Sequence, residues 1–113
     1  MGDRVRECIE VCLDCHRVCL ETATYLSSSA ERVGAEDLRL LFTTAEVCHA
    51  GASLLRGPAD RTGSAYAMCA ELCQRAARYC DAFGDDPRMR SCANACRRCA
   101  DACHALAAAA AVA

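Results

Sequence analysis

Cysteine dominates the chemistry open to this chain, and it recurs at fixed steps. Cys8, Cys12, Cys15 and Cys19 follow a 4-3-4 spacing, and Cys92, Cys96, Cys99 and Cys103 repeat it. A third copy of the frame reads Cys69, Cys73, Ala76, Cys80, and a fourth reads Thr44, Cys48, Gly51, Leu55. All 12 cysteines fall in the frame. Alternating steps of four and three trace the inward seam of a packed helix, where Leu or Val is the ordinary occupant. Thiols in those places turn the seam into a row of soft metal ligands.

Thiols four apart on a helix point the same way, with Cβ atoms about 5–6 Å apart. A disulfide wants about 3.8 Å, so Cys8–Cys12 and Cys92–Cys96 make poor intrahelical bridges. Cu(I) prefers thiolate and accepts two or three such ligands, so each Cys-x3-Cys pair reads as a Cu(I) clamp. The Cys-x2-Cys steps, and cysteines facing across a bundle, join clamps into clusters. Charge sets the loading. Bare buried thiolates are costly, and a ratio near one Cu(I) per thiolate neutralises them, which implies about ten to fourteen Cu(I) per chain. Without metal, protonated thiols behave as small hydrophobes and still allow folding.

Two other metals and one other role share these residues. Structural zinc takes four ligands in a tetrahedron, and such sites can form between helices while using far fewer metals than sulfurs. Cys12-x2-Cys15-x3-Cys19 and Cys96-x2-Cys99-x3-Cys103 imitate part of an iron–sulfur motif. No Pro follows either last cysteine, and both runs lie in helix rather than loop. Interhelical disulfides would instead make a thiol redox-responsive interaction protein. A lone buried cysteine such as Cys48 is, by itself, an ordinary small core residue.

The positioning elements are helical. Ser27-Ser28-Ser29 with Gly34, then Gly57-Pro58, then Gly84-Asp85-Asp86-Pro87 divide the 113 residues into four similar lengths. Between them lie Ala, Leu, Glu and Arg, strong helix formers, with no period-2 alternation. Asp86 before Pro87 reads as an N-cap with Pro at the first helical position. Four helices of about 20–25 residues with short connections predict an all-α, antiparallel four-helix bundle with a cysteine-lined core, one domain over 1–113. Val5, Leu55, Tyr66 and Leu106 should plug one end, and Thr22, Leu41, Phe83 and Met89 the other. The first and fourth helices become neighbours carrying eight cysteines, so metal should follow that side and the third helix.

The net charge is −2 with signs interspersed, which offers no basic stretch for nucleic acid. Arg75, Arg78, Arg97 and Arg98 read as a solvated face. The apolar tail 105–113 falls far short of the roughly 18 residues of a membrane span. The N-terminus shows no apolar signal region, so the expected compartment is the cytosol, where thiols stay reduced. No nucleophile–base pair, phosphate loop or paired-carboxylate site stands out, so no enzymatic activity is expected.

From Cys8 to His104 the chain resembles the cysteine-rich four-helix-bundle copper storage proteins. The specific part is the pair of Cys-x3-Cys-x2-Cys-x3-Cys helices with Cys69-x3-Cys73-x6-Cys80 between them. The resemblance implies a Cu(I) store with thiolate clusters inside the bundle, similar to the cytosolic branch, which lacks an export signal and tends to form homo-tetramers. It implies copper ions as cargo, with a copper chaperone or small-molecule thiol as exchange partner. It also implies His or Met ligands near the mouth where Cu(I) enters. His104, beside the last sulfur layer, and Met89, one layer beyond Cys92, are the candidates, at opposite ends. His16 and His49 read as flank residues, and Met68 lies off the seam. The chain departs from well-filled members in its second helix, which bears on capacity.

Overall fold

The computed structural model describes residues 2–28, 33–57 and 63–112. Among them are four α-helices and no strand: α1 (Asp3–Ser27), α2 (Ala35–Arg56), α3 (Gly63–Asp81) and α4 (Pro87–Val112). Ser29 and Pro58, two of the expected breakers, lie outside the described residues. Each helix packs on two neighbours, α1 on α2 and α4, α3 on α4 and α2, while the diagonal pairs keep their backbones apart and meet only through side chains across the core. The α3–α4 pairing is the most extensive and the α2–α3 pairing the least. With short connections this is the expected antiparallel bundle, 48 × 21 × 20 Å.

The start of α4 follows its sequence signal. Asp86 Oδ1 accepts the backbone N–H of Arg88 at 2.9 Å and of Met89 at 3.4 Å, satisfying two donors that have no partner in the first turn. Tyr25 of α1 donates its hydroxyl to Asp86 Oδ2 at 2.9 Å, so the same carboxylate ties α1 to α4. Ahead of it, α3 ends sooner than the spacing suggested. Backbone bonds from Ala82 to Tyr79, Phe83 to Cys80 and Gly84 to Asp81 tighten the chain into turns, and Gly84 reverses it at φ 66°, a conformation that favours glycine. Phe83 therefore stands beyond the helix, although it packs on the core and lies edge-on to Tyr79, with ring centroids 5.2 Å apart.

The core is the cysteine frame plus apolar ends. Every frame position is buried, including Thr44, Gly51, Leu55 and Ala76, which carry no thiol. Leu41 and Leu55 are fully buried, each contributing roughly 1.5–3 kcal/mol by leaving water. Thr22 and Thr44 donate their hydroxyls to the carbonyls of Val18 and Leu40, both at 2.7 Å, so neither brings an unmet polar group into the interior. Outside, Arg97 grips Asp81 of α3 at 2.5 and 2.6 Å, and Arg98 reaches Asp14 of α1 at 3.5 Å. These pairs are solvent-exposed, and exposed pairs contribute about 0–1 kcal/mol. Burial of the seam holds the bundle together; the surface charges add little.

Candidate metal centre

The twelve cysteines are all free and buried, and contacts of 3.6–3.9 Å join ten of their sulfurs into one array. At the end where α1 begins and α4 finishes, Cys8, Cys12 and Cys103 make a triangle with all three Sγ–Sγ edges 3.9 Å. Cys12 then meets Cys99 at 3.7 Å. Cys48 of α2 reaches Cys99 at 3.8 Å, Cys69 at 3.8 Å and Cys73 at 3.6 Å. Cys73 lies 3.9 Å from Cys15. A second triangle, Cys15, Cys19 and Cys96, has edges of 3.8, 3.7 and 3.6 Å. Cys92 interacts with Cys19, Cys96 and Cys80 and completes the row.

Three sets converge closely enough to share one ion, with all sulfurs within 4.8 Å: Cys12, Cys69, Cys99 and Cys103; Cys15, Cys48, Cys73 and Cys99; and Cys15, Cys19 and Cys96. Cys99 and Cys15 each belong to two sets, so the sets are linked through common ligands. Separations of 3.6–3.9 Å are far longer than an S–S bond of about 2.0 Å. They suit thiols in contact, or thiolates around a soft ion.

Crowding couples the protons of these groups. A sulfur that receives S–H bonds is drawn toward thiolate: Cys8 is lowered to about 4, chiefly by Cys103 and then Cys12. The opposing partners are pushed up: Cys12 first by Cys103, and Cys48 and Cys73 each first by Cys15, with burial adding to all three. A closely placed soft cation replaces those protons and removes the conflict.

The histidines sit apart from this array. His16 Nδ1 is 2.8 Å from the Ala45 carbonyl, and its ring lies 5.0 Å from that of His49 across the α1–α2 flank. His104 is exposed, with Nε2 2.9 Å from Gln74 Nε2, and joins none of the sulfur sets. Met89 is fully buried at the opposite end of the core, and Met68 is exposed. The spacing pointed to α1, α4 and α3 as the metal-bearing side, but Cys48 of α2 sits at the middle of the array. Only the axial offset of α2 against α3 and α4 reveals that, and no pattern within α2 carries it.

Fold and site together define a helical bundle whose interior is a continuous thiol lining, the arrangement of a metal–thiolate protein. The family model for copper storage proteins (Csp) matches residues 1–108, and the chain belongs to that family. Among solved structures, the crystal structure of a protein from Nitrosospira multiformis is similar, with TM-score 0.85 and 29% identity, covering 96% of this chain and 99% of that one. No curated protein matches the chain.

Proposed function

We propose that this protein stores and buffers Cu(I) in the cytosol, holding many ions as thiolate clusters within the bundle. The supporting observation is the lining of twelve buried sulfurs, ten of them joined by contacts of 3.6–3.9 Å, with ligands shared between sets. A site for one structural ion needs about four ligands and gives no reason for the other eight. A near one-to-one ratio of Cu(I) to thiolate leaves the dry interior close to neutral, which the burial of these groups demands. The candidate ligands are Cys8, Cys12, Cys15, Cys19, Cys48, Cys69, Cys73, Cys80, Cys92, Cys96, Cys99 and Cys103. Met89 and His104 are the candidates for exchange at the two ends.

Storage requires no catalysis, and no enzymatic role is assigned. A copper chaperone or small-molecule thiol would deliver and remove the ion, and the protein would act as a homo-oligomer. Among the described residues no helix is long and apolar enough to cross a membrane. Anaerobic titration of the reduced protein with Cu(I), read by thiolate-to-copper absorption and metal analysis, should saturate near one copper per cysteine, on the order of ten or more ions. Saturation at one or two ions would overturn the storage role.

A further inference from the structure

Cys15, Cys48, Cys73 and Cys99 come one from each helix and meet at the centre of the bundle. Of the three convergent sets, this is the one to which all four helices contribute. Within it Cys48–Cys73 is 3.6 Å, Cys48–Cys99 3.8 Å and Cys15–Cys73 3.9 Å, the remaining pairs lying within 4.8 Å. A tetrahedral zinc site with Zn–S of about 2.3 Å has an S–S edge of about 3.8 Å. Three of the six edges already have that length, the others need close by no more than about 1 Å, and all four sulfurs are buried.

We infer that in the copper-free protein this central cage binds one Zn(II) as a tetrathiolate, cross-linking the four helices until Cu(I) displaces it. Binding converts four thiols and Zn(II) into a tetrathiolate zinc dianion and releases four protons, so it strengthens as pH rises. The flanking thiols stabilise that dianion. Cys19 contacts Cys15 at 3.8 Å, and Cys69 contacts Cys48 at 3.8 Å, in each case with either sulfur able to donate. Each is placed to give an S–H hydrogen bond to a zinc-bound sulfur, the outer support that buried thiolate sites require. Cu(I) at one per thiolate leaves no such residual charge, so copper wins once it is plentiful. Zinc binding at this cage stands or falls independently of copper storage.

Co(II), which reports tetrahedral thiolate coordination through red d–d bands and near-ultraviolet charge transfer, is the probe. Reduced, metal-free protein titrated anaerobically should bind one Co(II) per chain with a four-thiolate spectrum, and added Zn(II) should abolish it. Cys48→Ala, which removes the sole ligand from α2, should lose that spectrum. Cys80→Ala, at the far end of the array, should keep it. Circular dichroism checks helix content, and if Cys48→Ala does not fold, Cys15→Ala must show the same loss. Excess Cu(I) should expel the Co(II). Absence of the four-thiolate spectrum in the unaltered protein would overturn the assignment. So would its survival in Cys48→Ala with loss in Cys69→Ala, or retention of Co(II) under excess Cu(I).

Discussion

Helices α1 and α4 carry eight of the twelve cysteines, whereas α2 carries one, yet the one on α2 is as well connected as Cys12 or Cys15 of α1, and only to sulfurs of other helices. Cys8 touches Cys12 on its own helix and Cys103 on α4. Cys48 touches Cys69 and Cys73 on α3 and Cys99 on α4. The number of ligands on a helix and the importance of any one of them are separate quantities. On the proposed storage reading the α1–α4 seam would supply capacity, because its sulfurs pack in triangles along the bundle. The α2 side supplies one bridge at mid-length, and elsewhere presents Thr44, Gly51 and Leu55, which offer no sulfur.

The largest expected effect comes from the rich side. Cys12 and Cys96 each sit in a triangle and touch a sulfur that belongs to two of the convergent sets, Cys99 and Cys15 respectively. Replacing both with Ala should lower Cu(I) capacity, measured by anaerobic titration, by more than two ions, because shared ligands vanish with them. A loss of two or fewer would mean that ions are bound independently, and the contrast between seam and bridge would fail.

Filling the poor side is the converse. Thr44 is buried and Gly51 has nothing within 4 Å of an added Cβ, so Thr44→Cys and Gly51→Cys place thiols at two buried positions of the α2 frame. The double variant should gain about one Cu(I) per added thiolate, by the same charge balance. No gain would show that capacity is limited by something other than ligand number on α2.

The smallest effect concerns the frame that joins α1 to α4 without metal. The Tyr25 hydroxyl, followed by the N–H groups of Met89 and Arg88, holds the Asp86 carboxyl below its ordinary 3.8. With its folded pKa below the unfolded one, Asp86 contributes stability in full above 3.8, and that contribution disappears as pH falls through the folded value. Thermal melts of the metal-free protein should therefore drop on acidification below 3.8, and Tyr25→Phe should flatten that drop while leaving Cu(I) capacity unchanged. An identical acid profile in the variant would remove Asp86 from the account of the α1–α4 pairing.

Much of this was legible in the chain. Asp86-Pro87 marks the start of α4 because a capping carboxylate and a residue with no N–H suit a first turn. The 4-3-4 steps mark the buried face because a helix brings residues three and four apart onto one side. His16 and His49 lie on a flank because a residue next to a seam position is rotated by about 100°. The end of α3 was less legible. Phe83 continued the helical spacing, but the i to i+3 bonds ahead of Gly84 close the helix at Asp81.

The sequence by itself determined that twelve thiols face inward on four helices and which helix carries how many, since periodicity and breakers are local properties. Only the tertiary structure decided which thiols meet. That depends on how far each helix slides along its neighbours, and the slide is set by side chains interlocking across all four helices at once. It is why Cys48, isolated in its own helix, lies at the centre of the array.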